Sequence, residues 1–256
     1  MTAIIETKDL RKVFKRGRGQ GALDVVAVKG TSIIVEKGEI FGFLGPNGAG
    51  KTTTMRMLST LLTPTSGEVK IAGLDLNDGA EEIRRKIGYV SQVGGMIRDA
   101  SGRENLVLQG RLFGMSEQEA GKRANELLNL FDLTAYADRP TSTYSGGQRR
   151  IFDLASGIVH RPELLFLDEP STGLDPQNRA HVWEQVRKLH AEGTTVFLTT
   201  HYLDEADALC NRIAVMDKGE ILEAGTPDVL KEKYEAKTLD EVFLKITGHI
   251  MWNPGA

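Results

Sequence analysis

A short apolar segment that leads straight into a glycine-rich loop is the strongest constraint on how this chain can fold. Residues 40–44 are almost wholly apolar, which is typical of a buried parallel strand. Residues 51–62 have a helical pattern that stops before Pro64. The loop between them has the Gly-x-x-x-x-Gly-Lys-Thr pattern of a phosphate-binding loop, in the strand–loop–helix context that such a loop requires. Its residues are Gly45, Pro46, Asn47, Gly48, Ala49, Gly50, Lys51 and Thr52, with Thr53 as the next candidate contact.

This loop predicts a site for the phosphates of a nucleoside triphosphate. Glycines let backbone N–H groups turn inward around phosphate oxygens, and the positive end of the following helix adds favourable potential. Lys51 would reach the β- and γ-phosphates, and the Thr52 hydroxyl would ligate Mg²⁺. The alternative is a chance glycine-rich turn, and the flanking strand and helix argue against it.

The rest of the chain alternates between strands and helices, which predicts an α/β fold with a parallel sheet. Two capping boxes, Ser followed three residues later by Glu, begin predicted helices at Ser101 and Ser116. Asp175 followed by Pro176 predicts the start of another helix. Short strands at residues 4–7, 25–28 and 32–35 predict an antiparallel sheet, residues 196–200 a second buried parallel strand, and residues 213–216 with 220–223 a hairpin.

These elements predict a single P-loop NTPase domain of several parts. The nucleotide-binding core comprises residues 1–92 and 156–235, and it includes the N-terminal antiparallel β subdomain. A helical subdomain, at about residues 93–155, is inserted between strands of that core. Residues 236–256 are a C-terminal extension.

An acidic pair follows a third apolar segment. Asp168 and Glu169 come directly after residues 164–167, and the carboxyl end of a buried strand faces the ligand crevice of an open α/β sheet. Asp168 would support Mg²⁺, directly or through water. Glu169 would accept the proton of the attacking water as a general base. The alternative is an ordinary charged turn at a strand end.

Charge and composition narrow the class of protein. The net charge is −3 with a pI near 6.0, so no global field attracts nucleic acid or an anionic membrane. The local exception is a basic run from Lys8 to Arg18, which we interpret as a solvated loop face. The single cysteine, Cys210, is expected in the core. No apolar run reaches the ~18 residues of a membrane span, and the N-terminus lacks a secretory pattern, so we expect a soluble cytoplasmic protein.

One aromatic residue near the N-terminus is a candidate for the nucleotide base. Phe14 lies between the first strand and the glycine-rich residues 17–21, and its ring could stack on adenine. The alternative is burial in the small antiparallel sheet.

A set of motifs is spread over nearly the whole chain. They are residues 45–52, Gln92, the Ser-Gly-Gly-Gln run at residues 145–148, Asp168-Glu169, residues 171–175 and His201. Together they resemble the motifs of ATP-binding-cassette (ABC) ATPases.

Further residues point to one branch of that family. They are residues 102–106, Tyr144, residues 160–163 and residues 239–243. With them the chain most resembles the bacterial drug-export branch typified by daunorubicin resistance. The departures are Tyr144 for the leucine usual in the wider family, Ser171 for threonine and Ala100-Ser101 for Leu-Thr.

The resemblance implies roles for further residues. Gln92, which follows a strand-like segment, would ligate Mg²⁺ or water and signal the presence of nucleotide to the helical subdomain. His201 would hydrogen-bond the γ-phosphate and orient the attacking water. A second copy of the domain, in a head-to-tail pair with two ATP molecules sandwiched between the copies, would contribute the Ser-Gly-Gly-Gln contacts. The residues that would touch nucleotide in that pair are Ser145, Gly146, Gly147, Gln148 and Asp175.

The resemblance also implies partners. These are a second ATP-binding subunit, most simply an identical one, and a separate permease at the cytoplasmic face of the membrane, with no nucleic acid. Three alternatives stay open: an importer ATPase, a cytosolic ABC ATPase without a permease, and a nucleotide-binding module that is not an enzyme. Only 52 residues separate Gln92 from Ser145, too few for the long coiled coil of the chromosomal type, and the single cassette differs from the ribosomal type. The cargo is not encoded in these motifs.

Overall fold

The computed structural model describes residues 2–16 and 23–248, which form two compact units. Unit 1 comprises residues 1–84 and 195–256, and unit 2 comprises residues 85–194. The predicted helical insertion at about residues 93–155 lies within unit 2. The glycine-rich residues 17–21, the last two positions of the basic run and residues 249–256 of the predicted extension lie outside the described residues.

Unit 1 begins with an antiparallel sheet, as predicted. Its strand order is β2-β1-β5-β6, and β3 also pairs with β1. Every described pairing in it is antiparallel. The strands are β1 (Ala3–Arg16), β2 (Leu23–Thr31), β3 (Ile34–Glu36), β5 (Ser66–Ile71) and β6 (Leu74–Asp75).

The first strand corrects the prediction that the basic run is a loop. β1 continues unbroken through Arg16, with β2 on one side and β5 on the other. Asp9 has a positive φ of 50°, and the pairing shifts register next to it, so the alternation that marks a strand is broken there. Lys8, Arg11 and Lys15 are exposed, so the run is solvated but belongs to the sheet.

Unit 1 also contains parallel strands that end at the phosphate loop. β4 (Ile40–Leu44) pairs in parallel with β9 (Thr195–Thr200) and with β10 (Arg212–Asp217). β10 then forms the predicted hairpin with β11 (Glu220–Gly225). All five residues of β4 are buried, and the rings of Phe43 and Phe197 lie 4.9 Å apart. The predicted buried parallel strands are therefore confirmed.

One helix of unit 1 ends earlier than predicted. α1 (Lys51–Leu58) stops short of the predicted Leu62, because Thr60 has a positive φ of 65° and the chain folds back. The N–H groups of Leu61 and Leu62 then both donate to the Arg56 carbonyl, at 2.9 and 3.0 Å. The other helices are α2 (Ala80–Lys86), which spans the boundary of the unit, α7 (Leu203–Leu209), α8 (Pro227–Lys233) and α9 (Leu239–Thr247).

The last described helix packs on unit 1. Leu239, Val242 and Phe243 on one face of α9 are buried, and the helix contacts α7 and α8. Cys210, at the C-terminus of α7, is also buried, in agreement with the prediction of a core position. Across residues 2–16 and 23–248, no helix combines the length and the apolar character needed to cross a membrane.

Unit 2 holds a parallel strand pair and four helices. β7 (Ile87–Val90) pairs in parallel with β8 (Leu164–Asp168), and every residue of β8 is buried. The helices are α3 (Gly102–Leu112), α4 (Glu117–Leu130), α5 (Gly146–Gly157) and α6 (Pro176–Ala191). The two predicted capping boxes are present at the starts of α3 and α4, and Asp175 caps α6 as predicted. A third capping box, between Ser145 and Gln148, begins α5.

Candidate functional site

The phosphate loop connects β4 to α1, and its glycines are required by its geometry. Gly48 and Gly50 have positive φ angles of 83° and 108°, which favour residues without a side chain. A Cβ atom on Gly45 would overlap the carbonyl oxygen of Met216 in β10. Gly50, at the N-cap position of α1, makes no side-chain hydrogen bond to the first turn of the helix. The N-terminus of a helix is a position that favours anion binding.

Lys51 is held at the mouth of this loop. It is buried, with 4% of its surface exposed, and its ammonium donates to the carbonyls of Gly45 at 2.7 Å and Pro46 at 3.1 Å. Ala49 donates its N–H to the Pro46 carbonyl at 3.1 Å, which closes the turn. Thr52 and its neighbour Thr53 follow in the first turn of α1 and are half-buried.

The turn between β10 and β11 forms a hydrogen bond with the phosphate loop, a contact that was not predicted. Gly219, between β10 and β11, donates its N–H to the Ala49 carbonyl at 2.9 Å. Its own carbonyl accepts a hydrogen bond from the Lys29 N–H at 2.8 Å. Lys218 and Gly219 both have positive φ, at 46° and 84°. The Asp-Lys-Gly hairpin signal was visible in the sequence, but its contact with the phosphate loop was not.

Two more predicted residues belong to unit 1. His201 follows the end of β9, and the Gly45 N–H donates to the Thr200 carbonyl at 3.3 Å, so His201 and the loop share one edge of the sheet. Phe14 lies opposite Val25 in the antiparallel sheet and is 40% exposed, with the Lys12 ammonium 5.3 Å from its ring centre. Burial of Phe14 in that sheet, the alternative interpretation, is thus wrong.

In unit 2 the structure brings Gln92 and Glu169 together. Asp168 ends β8 with 3% of its surface exposed, and the Tyr89 hydroxyl donates to its Oδ2 at 3.4 Å. Glu169 follows with a positive φ of 48°, an uncommon conformation for a residue with a side chain. Its Oε2 accepts the Gln92 Nε2 hydrogen bond at 3.2 Å and the Thr172 hydroxyl at 3.1 Å. The carboxylate is therefore fixed from two sides.

The Ser-Gly-Gly-Gln run is the start of α5. Ser145 and Gly146 are exposed, and the Ser145 Oγ accepts the Gln148 N–H at 3.2 Å while Gln148 Oε1 accepts the Ser145 N–H at 2.9 Å. The Gln148 side chain is thus engaged in capping. A Cβ on Gly147 would overlap the Oδ1 atom of Asn178, whose amide bonds to the Asp175 carboxylate.

Tyr144, the departure from the wider family, is a packing residue. It is buried, its hydroxyl donates to the Tyr136 carbonyl at 2.7 Å, and its ring meets Phe152 edge-on at 5.9 Å. A Cβ on Gly102 would overlap the Tyr144 hydroxyl, so a glycine at the start of α3 makes room for the tyrosine.

Arg150 and Asp153, which sequence reasoning missed, lie on α5 next to the Gln92 turn. Arg150 is buried, with 7% of its surface exposed, and its guanidinium donates to three backbone carbonyls. Burial raises the pKa of Asp153 to about 6, against the lowering influence of Arg150, the Gly95 backbone N–H and Arg149. Neither residue belongs to a motif. The only sign of them in the sequence was a polar residue on the buried face of α5.

A cavity of about 610 Å³ in unit 2 connects these features. Its lining includes Gln92, Gly146, Arg149 and Asp153, so the predicted sensor and the start of α5 open onto one space.

The predicted Mg²⁺ ligands have the donor chemistry that this ion prefers. They are a threonine hydroxyl, an amide and a carboxylate, all of which offer oxygen. Because the Gln92 Nε2 points to Glu169, its carbonyl oxygen is the atom left for a cation. The described residues contain no group of three or more His, Cys, Asp or Glu side chains that could hold a metal.

The sequence profile of the ABC transporter family matches residues 28–172. The chain belongs to the ABC transporter family. It is similar to the daunorubicin/doxorubicin resistance ATP-binding protein DrrA of Streptomyces peucetius, with 47% identity over 93% of this chain and 70% of that protein. It is also similar to the linearmycin resistance ATP-binding protein LnrL of Bacillus subtilis (strain 168), with 40% identity over 83% of this chain and 68% of that one.

Solved structures agree with this membership. A dimeric ATP-binding cassette in a post-hydrolysis state, bound to ADP and Pi, superposes with a TM-score of 0.77 at 29% identity, over 87% of this chain and 98% of that chain. The fold is that of an ABC ATPase, and the chain is an ATP-binding subunit that hydrolyses ATP.

We predict a pH-dependent stability difference between the wild type and Asp153→Asn. The folded pKa of Asp153, about 6, lies above its ordinary value of 3.8. The contribution of this carboxyl group to the free energy of unfolding is therefore full below about pH 4. It decreases by about 3 kcal/mol at most as the pH rises to about 6. Asparagine does not titrate, so the variant does not lose this stability. In urea unfolding, the stability of the variant relative to the wild type should therefore increase over this pH interval and stay constant above it. Parallel stability curves would contradict the raised pKa.

Proposed function

We propose that the chain is the ATPase subunit of an exporter for drug-like or lipid-like molecules and drives a separate membrane permease. The similarity to DrrA over 93% of the chain carries this proposal, together with a full set of residues for ATP hydrolysis. The names of the two relatives refer to resistance to different compounds, which fits specificity that resides in the permease.

The nucleotide-binding part of the proposal rests on unit 1. Phe14 stacks on adenine with its exposed ring, and the N–H groups of the loop surround the phosphates. Lys51, already directed to the loop mouth, binds the β- and γ-phosphate oxygens. Thr52 and Thr53 provide hydroxyls in the first turn of α1.

We assign the Mg²⁺ ligands to the Thr52 hydroxyl, the Gln92 amide oxygen and the Asp168 carboxylate. When bound, Mg²⁺ neutralises charge on the phosphate oxygens. Burial and the Tyr89 hydrogen bond fix the Asp168 carboxylate in one orientation.

Glu169 acts as the general base. The oxygen of a water molecule attacks the γ-phosphorus, the bond from that phosphorus to the β-bridging oxygen breaks, and ADP leaves with those electrons. Glu169 takes the proton of the attacking water. Gln92 and Thr172 hold its carboxylate in place through the bonds at 3.2 and 3.1 Å. His201 donates to a γ-phosphate oxygen and orients the water.

The start of α5 acts on nucleotide bound by a second copy of the chain. Ser145 is exposed, and the N-terminus of α5 carries a positive potential suited to the γ-phosphate. The Ser145 hydroxyl and the Gly147 N–H donate to that phosphate, and Gly146, Gln148 and Asp175 border it. ATP binds the closed pair more tightly than the open pair, and hydrolysis reopens it. The dimeric state of a related cassette supports this arrangement.

Glu169→Gln should bind ATP but hydrolyse it at least about a hundredfold more slowly, because an amide cannot accept the proton. The variant should accumulate as an ATP-bound dimer in size-exclusion chromatography. Glu192→Gln, at an exposed position after α6, is the matched control and should turn over as the wild type does. Wild-type turnover in Glu169→Gln would remove Glu169 from the catalytic role.

Complementation tests the shared site. Ser145→Arg and Lys51→Ala should each be inactive alone, the first while still binding ATP. In a mixed dimer, the intact loop of the Ser145→Arg copy faces the intact Ser145 of the Lys51→Ala copy, so one complete site forms and ATPase activity returns on mixing. If each site lay within one chain, the mixture would stay inactive.

Co-purification tests the transport role. Isolated from detergent-solubilised membranes of its own organism, the chain should carry a polytopic membrane protein in stable stoichiometry, identified by mass spectrometry. Loss of that partner in detergent-free extracts is the control. Recovery with ribosomes or nucleic acid in place of a membrane protein would contradict the exporter assignment.

A further inference from the structure

Arg150 makes an unusual set of contacts for a residue outside the recognised motifs. Its Nε donates to the Pro170 carbonyl at 2.7 Å, one terminal nitrogen to Ser91 at 2.7 Å, and the other to Asp168 at 3.1 Å. All three acceptors are backbone carbonyls. A guanidinium can serve them at once because its donors lie in a fixed planar fork.

These three carbonyls border the two side chains to which we assign catalysis. Ser91 precedes Gln92, while Asp168 and Pro170 flank Glu169. One side chain therefore fixes the backbone on both sides of the Gln92–Glu169 hydrogen bond. Its own helix, α5, has Ser145 as its N-cap, so the same arginine also connects that pair to the Ser-Gly-Gly-Gln run.

Asp153, one helical turn further along α5, holds the other end of the Gln92 turn. The Gly95 N–H is near enough to the Asp153 carboxylate to lower its pKa, against the larger effect of burial. Gly94, with a φ of 77°, passes so close that a Cβ there would lie 2.7 Å from the Asp153 Oδ2. Within the turn, Gly94 donates to the Ser91 carbonyl at 3.4 Å. Residues 91–95 are thus anchored to α5 at both ends.

We propose that Arg150 is a positioning residue for ATP hydrolysis and that it holds Gln92 and Glu169 in a fixed position relative to the start of α5. Asp153 is a second anchor. The proposal rests on the roles assigned above to Gln92 and Glu169. A displacement of α5 when Ser145 engages nucleotide then moves Gln92 and Glu169 with it. Displacements of about 1 Å are enough to change a rate by about a hundredfold.

The test uses Arg150→Met, which keeps an unbranched apolar stem and removes the guanidinium with all its donors. Because the phosphate loop is not touched, the Kd for a fluorescent ATP analogue and the KM for ATP should stay within about twofold, while kcat falls at least about tenfold. Arg150→Lys restores charge without the fork and should give an intermediate kcat. Lys122→Met, at an exposed position on α4, is the matched control and should keep the wild-type kcat.

Asp153 provides an independent pair of variants. Asp153→Asn keeps a polar oxygen beside Gly94 and should retain kcat, whereas Asp153→Ala removes it and should lower kcat without weakening ATP binding. If Arg150→Met does not fold, Arg150→Lys and the Asp153 pair decide the question. Wild-type kcat in Arg150→Lys and in Asp153→Ala overturns the proposal, as does a loss of ATP binding that matches the loss of kcat.

Glu169→Gln in the same assay separates this inference from the function on which it rests. If Glu169→Gln is inactive and Arg150→Met is fully active, only the positioning role is wrong. If Glu169→Gln turns over normally, the catalytic assignment itself is wrong, and the positioning role fails with it.

Discussion

Carbonyl groups at the ends of β7 and β8, half-buried at Ser91 and buried at Asp168, accept hydrogen bonds from Arg150 in unit 2. A polar group left without a partner in a buried position costs about 1–3 kcal/mol, so three carbonyls on one guanidinium make a strong local constraint. That constraint sets where Gln92 and Glu169 stand. It also explains how Glu169 persists with a positive φ, because the residues on both sides of it are held.

In unit 1 the corresponding constraint is close backbone packing around the phosphate loop. The loop has no room for a Cβ at Gly45, and its Ala49 carbonyl is bound by the turn at Gly219. Lys51 donates to the carbonyls of Gly45 and Pro46 and so ties the first turn of α1 to the start of the loop.

Local signals allowed much of this structure to be predicted. The capping boxes at Ser101 and Ser116 and the cap at Asp175 depend only on residues within one helical turn, and all three are confirmed. The buried parallel strands were equally clear, because burial on both faces requires continuous apolar segments. The family, the fold and the ATPase activity followed from motifs that combine such local signals at fixed spacing.

What the sequence did not reveal depends on contacts between distant residues. Arg150 lies only two residues beyond the Ser-Gly-Gly-Gln run, yet its partners are 18 to 59 positions away. The long strand β1 was missed because Asp9 interrupts its alternation, while pairing with β2 and β5 carries it onward. The prediction made α1 too long, because the residue type at Thr60 gives no sign that its φ is positive.

The central claim is that one chain holds half of each catalytic site, so activity requires two copies. The most direct measurement is ATP turnover per chain over a wide range of chain concentration, with the oligomeric state followed by sedimentation in the same buffer. Turnover per chain should rise with the fraction of dimer and vanish where the chain sediments as a monomer. Full turnover per chain at concentrations where only monomer sediments would contradict the account.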